Sequence, residues 1–146
     1  MERFSLRAAA ENDMEFVHQV TEDAMREYVE ATWGRWAPVE QREKCRKSFN
    51  PNTHKIVQVG GKEVGVLAVQ EHVTHVQLEK LYLLAGSRRC GLGSELLQHV
   101  VRIGQAKHLP VRLRVLAVNT AAQRFYARHG FTVSSRTTER VFMECA

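Results

Sequence analysis

Apolar residues recur along the chain with two periods, and the changes of period divide it into short elements. Phe4, Leu6 and Ala8 alternate with polar positions, the two-residue period of a strand. Asn12 with Glu15 three positions later has the form of a capping box. Val17, Val20, Ala24 and Tyr28 follow at helical spacing, so a helix is predicted that ends at Trp33-Gly34. A second, shorter helix opens near Pro38, a residue suited to a first helical position, and stops before Asn50-Pro51. Ile56 to Val59 and Val64 to Val69 flank Gly60-Gly61 and read as a hairpin.

A third strand is predicted from about His75 to Leu84, and its alternation changes phase. Val76 and Leu78 share one face, whereas Leu81 and Leu83 share the other. Such a slip hints at a bulge, a device common beside active sites, with Glu79 at or next to it. After a polar loop from Gly86 to Gly93, Leu96, Leu97, Val100, Ile103 and Gly104 mark the buried side of a strong helix. Val111, Leu113, Val115 and Ala117 then alternate with Arg112 and Arg114. A helix from about Thr120 to His129-Gly130 and strands over Phe131 to Ser135 and Arg140 to Glu144 complete the pattern. The order βααβββαβαββ implies an α/β (α+β) protein, a mixed sheet with helices on both faces.

Composition narrows the class. The 146 residues suit one domain, taken here as 1–146, and 44% hydrophobic with 25% charged is normal for a soluble globular chain. No apolar run approaches the roughly 18 residues of a membrane span, so no membrane partner is expected. Met1 to Arg7 lacks the apolar core of a secretory leader, which makes the cytoplasm the expected compartment. Cys45, Cys90 and Cys145 are far apart with no Cys-x-x-Cys pair, neither a disulfide framework nor a zinc site. His72-x-x-His75 has no third ligand nearby and reads better as a polar turn, so no metal is expected.

The net charge of +5 is unevenly placed. Residues 86–114 hold Arg88, Arg89, Arg102, Lys107, Arg112 and Arg114 against Glu95 alone, which accounts for all of it. Residues 11–30 carry seven acids against Arg26 and read mainly as a solvated face. One basic segment suits a polyanion such as nucleic acid or a small phosphorylated ligand, and a solvated surface is the plainer account.

The segment from Leu81 to Ser94 runs strand, loop, helix. Gly91 and Gly93 let the backbone turn sharply and approach a ligand closely. The loop delivers N–H groups to an open helix start, where the dipole favours an anion, and Arg88 and Arg89 add charge. Physically this is a pyrophosphate cradle, although a plain strand–helix turn explains two glycines as well. It lacks the Gly-Lys-Ser/Thr ending of a Walker loop and the three spaced glycines of the dinucleotide fingerprint. A second cluster follows on the next helix: Asn119-x-x-Ala122-x-x-Phe125-Tyr126-x-x-x-Gly130-Phe131.

With both clusters the sequence resembles the GNAT superfamily, the acyl-CoA-dependent N-acyltransferases. Arg88-x-x-Gly91-x-Gly93 matches the family's Gln/Arg-x-x-Gly-x-Gly/Ala phosphate loop, and the Asn119 to Phe131 run matches its later signature in full. Arg89 stands where many members carry Gly, and Ala85 where many carry Pro; neither removes a ligating side chain. The resemblance spans essentially the whole chain and implies a single-domain, mostly antiparallel mixed sheet.

It also implies acetyl-CoA as co-substrate, with the basic segment meeting its phosphates. Amides of Arg89, Cys90, Gly91, Leu92, Gly93 and Ser94 would hold the pyrophosphate with Arg88 or Arg89 nearby. Leu81 and Leu83 would pair with the pantetheine arm at the bulged strand. The Leu81 amide would polarise the thioester carbonyl, and Asn119 would contact the arm or a water. An attacking amine has to lose a proton. Glu79, the only carboxylate on the strand entering the cradle, is the candidate base, with a structural strand residue as the alternative. Tyr126 matches the family's acid for the departing thiolate, with a core aromatic as the alternative. Cys90 reads as a spacer, since direct transfer needs no acyl-enzyme.

Tyr28, Trp33 and Trp36, between the first two helices, either line an acceptor pocket or pack the helices. The function implied is transfer of an acetyl group to a primary amine on a small molecule, peptide or protein. The competing readings are a basic nucleic-acid-binding module, which lacks any known binding motif, and a CoA-binding sensor without catalysis. Homodimers are common in the family and are among its implications.

Overall fold

The strand-like runs on either side of Gly60-Gly61 build a hairpin next to the central strand of the sheet. Both glycines have positive φ, +58° and +81°, the geometry that a tight two-residue turn between twisted strands requires. The computed structural model describes residues 3–88 and 90–146. Seven strands form one sheet: β1 (Ser5–Ala8), β2 (His54–Val59), β3 (Lys62–Glu71), β4 (Val76–Leu83), β5 (Val111–Leu116), β6 (Thr132–Arg136) and β7 (Arg140–Cys145). Their spatial order is β1-β2-β3-β4-β5-β7-β6, and every neighbouring pair is antiparallel except β4 and β5. The element order and the mixed sheet are those predicted.

Helices cover both faces. Leu92, Leu96, Leu97 and Val100 of α3 (Leu92–Lys107) pack with Val57, Leu67, Val76, Leu83, Val111 and Val141 in the main core. Phe125 and Tyr126 of α4 (Thr120–Arg128) join its margin. On the opposite face Val17 and Val20 of α1 (Met14–Trp33) and Cys45 of α2 (Pro38–Ser48) pack on Ile56 and Val66.

The start of α1 differs from expectation. Asn12 and Glu15 make no capping box; a 3-10 turn over Glu11–Asp13 precedes the helix, and Asp13 accepts from the Ala10 amide at 2.7 Å. Arg7 Nη1 and Nη2 also donate to Asp13, each at 2.8 Å, and hold its carboxyl down to about 2. The Asp13 carboxylate, fixed by Arg7 of β1, takes the free amide at this end in place of Asn12. Glu15 instead pairs with Arg42 of α2.

Two irregularities in β4 shape the centre of the molecule. Ala68 pairs with Lys80 and Val69 with Leu78, so Glu79 has no partner on β3 and is the bulged residue. The extra residue returns Leu81 and Leu83 to the core face already occupied by Val76 and Leu78. On its other side β4 pairs with β5 only at Val76–Val111 and Gln77–Arg112. Beyond that point two parallel strands separate.

Candidate active site

The loop after β4 enters α3 through Gly91, whose φ of +84° lies in the left-handed region that favours glycine. No side chain caps this helix, so the amides of Leu92, Gly93 and Ser94 lack an intrahelical acceptor at the positive end of the dipole. Arg3 reaches the Cys90 carbonyl and binds Glu95 at 2.5 Å, and a Cβ on Gly91 would meet its Nη2 at 3.2 Å. The exposed Cys90 thiol donates to the Ser87 carbonyl at 3.1 Å. Arg88 donates from Nε to the Leu83 carbonyl at 2.8 Å and from Nη2 to Asp23 of α1 at 2.9 Å. Arg89, an expected phosphate contact, lies outside the described residues.

Below this cradle lies the gap between β4 and β5. The Leu84 amide donates to Val64 on β3 at 2.8 Å, which assigns the even-numbered residues at this end of β4 to the β3 ladder. The amides of Leu81 and Leu83 therefore turn toward β5, which does not pair with them. A chain of polar atoms lying along the gap would meet them as an added strand does.

The α4 helix closes one side of the gap. A Cβ on Gly93 would touch the Phe125 ring at 3.5 Å, so the first turn of α3 abuts α4. Tyr126 follows, its ring edge-on to Phe125 and Phe131 at centroid distances of 5.3 and 5.7 Å. Burial, with a smaller contribution from Tyr82, pushes the Tyr126 phenol well above its ordinary range, so it keeps its proton. Asn119 is buried and caps α4, its Oδ1 accepting from the Ala122 amide at 3.1 Å, which leaves Nδ2 for another partner.

On the opposite sheet face a cavity of about 580 Å³ is lined by Gln77, Glu79, Arg112, Arg114, Ser135 and Phe142 among others. Arg112 is neutralised by Glu144 across the β5–β7 ladder at 2.7 Å. Glu79 is exposed to the cavity and forms no ion pair with any described residue. Tyr82 also belongs to this face; burial raises its phenol while the Arg114 and Arg140 charges oppose the rise. The sequence points to neither Tyr82 nor Arg140, and to Arg114 only as one of the basic segment. The alternation of Arg112 and Arg114 with a core pattern was the available signal, since it places both on the face opposite Leu113.

The basic segment therefore does not converge on the cradle, contrary to expectation. Arg112 and Arg114 project to the other side of the sheet from α3, Lys107 pairs with Glu71 at 2.8 Å, and Arg88 is shared with Asp23. Strand alternation separates charges that are close in sequence.

The aromatic residues also divide. Trp36 is 5% exposed and packs with Val29, Leu116, Met25 and Tyr28. Trp33 is 42% exposed, donates to Glu139 at 2.6 Å and lies under the Arg140 guanidinium at 5.6 Å. It thereby joins the end of α1 to the β6–β7 turn. His72 and His75 stack at 4.6 Å in the turn between β3 and β4.

The strand order, the opening between the parallel pair and the glycine loop beside it define a GNAT-type fold. A family model described as the acetyltransferase (GNAT) family matches residues 17–131, and the chain belongs to that family. Acetyl-CoA is accordingly its acyl donor.

Among solved structures, the PaiA N-acetyltransferase of Thermoplasma acidophilum with coenzyme A aligns at TM-score 0.77 and 17% identity over 99% of both chains. The ribosomal-protein-S18-alanine N-acetyltransferase of Escherichia coli aligns at 0.73 and 17% over 97% of this chain and 92% of that one. Arabidopsis thaliana Naa50 with the bisubstrate analogue CoA-Ac-MVNAL aligns at 0.67 and 17% over 99% of both. At these identities the likeness is one of fold. By sequence, no curated protein matches the chain. Among the described residues no helix is long and apolar enough to cross a membrane, and no three His, Cys, Asp or Glu side chains are grouped to hold a metal.

Proposed function

We propose that this protein, as one domain over residues 1–146, transfers the acetyl group of acetyl-CoA directly to a primary amine. The observation that carries this reading is the gap between β4 and β5, which has the uncapped start of α3 at one end and the Glu79 cavity at the other. Bound acetyl-CoA supplies an activated acyl group.

The protein's own residues do the rest. The Leu92 to Ser94 amides, with Cys90 and Gly91 in the same loop and Arg88 and Arg89 adjacent, hold the pyrophosphate. The outward amides of Leu81 and Leu83 align the pantetheine arm, and the Leu81 amide favours the negative charge that develops on the carbonyl oxygen. Glu79, directly or through water, takes the proton of an amine whose pKa is about 10.4. Tyr126 protonates the departing sulfur. Asn119 offers Nδ2 to the arm or to a water, and Trp33 with Tyr28 borders the acceptor side, while Trp36 serves packing.

Direct transfer leaves Cys90 without a chemical role. The names of the E. coli and Arabidopsis neighbours keep peptide amines among the candidate acceptors, beside amino acids, polyamines and aminoglycosides.

Thiol release from acetyl-CoA across a panel of such amines, with calorimetric titration of CoA, tests the reading. CoA binding with release for at least one amine supports it. Absence of CoA binding would sink it, and binding with no release from any amine would leave a sensor.

A further inference from the structure

We infer that the acceptor carries a carboxylate close to its amine, and that Arg114 binds this carboxylate while Glu79 faces the amine; this rests on the acetyl-transfer reading of the cavity. The two walls of the cavity differ in charge. Glu79 stands on β4 and Arg114 on β5, adjacent strands that have begun to separate, and both line the 580 Å³ space. Neither forms an ion pair with a described residue, although Arg112, two positions before Arg114, is neutralised by Glu144 at 2.7 Å. Opposite Arg114 in the ladder stands Phe142, which offers no counter-charge.

A second cation sharpens the case. Arg140 pairs in register with Leu116 and is thus the diagonal neighbour of Arg114 on the same face, within reach of a shared ligand. Arg140 has no described carboxylate within 4 Å, and its neighbour Glu139 is held by the Trp33 indole at 2.6 Å. Burial first, and then the Arg114 charge, lowers the Arg140 pKa, so the two guanidiniums repel one another. Two guanidiniums without an ion pair to a described residue, Arg114 on the cavity wall and Arg140 stacked on Trp33 next to it, attract an anion, and a guanidinium fork matches a carboxylate in two parallel hydrogen bonds.

The phosphates of CoA do not fill this role, because the cradle at α3 lies on the other face of the sheet. A phosphorylated acceptor is disfavoured too, since the unpaired Glu79 on the same lining would repel a dianion more strongly than a single carboxylate. Adjacent strands lie roughly 4.8 Å apart before they splay, so amine and carboxylate a few bonds apart can span the walls. A free amino acid and the acidic first residue of a peptide share this chemistry.

The test compares acceptors that differ only in the anionic group. β-Alanine and γ-aminobutyrate are set against propylamine and butylamine, and a peptide beginning with Asp against one beginning with Asn, in thiol release from acetyl-CoA. The acid of a pair is expected to exceed its partner in kcat/KM by about 10-fold or more, as a charge-assisted bond implies. Arg114→Gln should shrink that preference by a similar factor, and Arg114→Lys should return part of it. A preference in the free acids alone assigns a small-molecule acceptor, and one in the peptides alone a protein terminus. Equal rates within every pair, or an unchanged preference in Arg114→Gln, would overturn the inference while leaving acetyl transfer standing. Should no amine release thiol, acetyl transfer fails and calorimetry on the CoA-saturated protein decides the carboxylate question. Binding of γ-aminobutyrate that Arg114→Gln abolishes then upholds the site, and no binding overturns it.

Discussion

Replacing Tyr126 by Phe removes one oxygen from a half-buried ring and leaves its packing in place. The edge-on contacts with Phe125 and Phe131, at 5.3 and 5.7 Å, belong to the ring and survive. The hydroxyl makes no hydrogen bond to a described side chain, so folding stability should change by less than about 1 kcal/mol. The catalytic effect should be far larger. Loss of a positioned acid typically costs about 10²–10⁴ in rate, equivalent to about 2.7–5.4 kcal/mol of barrier.

The assay is thiol release at saturating acetyl-CoA and acceptor, with KM for acetyl-CoA measured beside it. For a hydroxyl acting at the departing sulfur, as proposed, kcat should fall while that KM stays within about threefold. The pH profile gives a second readout. Burial holds the phenol protonated well above its ordinary value of about 10, so the wild type should show no alkaline loss of kcat that disappears in Tyr126→Phe. A folded variant with wild-type kcat, or an alkaline limb that the substitution removes, would refute the assignment of a general acid that enters each turnover protonated.

Glu79→Gln should lower kcat/KM at neutral pH by about 10²–10⁴, with recovery as pH approaches the amine's own value of about 10.4; a loss independent of pH would mark some other role. Gly91→Ala forces a side chain into φ +84° and toward Arg3, which should cost about 1–2 kcal/mol of stability and weaken CoA binding in calorimetry; wild-type CoA affinity would remove the loop from the site. His54 is buried, and burial, helped by the Lys80 ammonium, pushes its imidazole from 6.5 down to about 4. The unfolded chain therefore binds more protons in that window, so stability is complete above about 6.5 and falls toward pH 4, by about 3 kcal/mol at most. Urea midpoints against pH should show this step in the wild type and not in His54→Gln.

Much of the candidate site's geometry was legible before the structure because its parts are local. The phase slip in β4 follows from side-chain alternation alone, and the unpaired residue is Glu79. The glycine loop could be read because a left-handed turn and an uncapped helix start are properties of a few consecutive residues. Trp36 shows the limit: a tryptophan between two helices has the same sequence signal whether it lines a pocket or, as here, packs against Val29 and Leu116. The Asn12 cap failed because Asp13 takes the free amide instead, held there by Arg7 from a strand that helix-local reasoning does not see.

The pattern of residues by itself determined the order of elements, the bulge and the cradle, since periodicity and backbone conformation are short-range. Tertiary structure alone decided where the charges went. Six cations within 29 residues read as one basic patch, yet the sheet sends Arg88 toward Asp23 of α1 and Lys107 toward Glu71. It pairs Arg112 with Glu144 and leaves Arg114 facing Glu79 across a cavity. Successive strand residues face opposite sides of a sheet, and which side holds the phosphates depends on the helix that packs there. Charge close in sequence therefore became charge on two faces of one sheet.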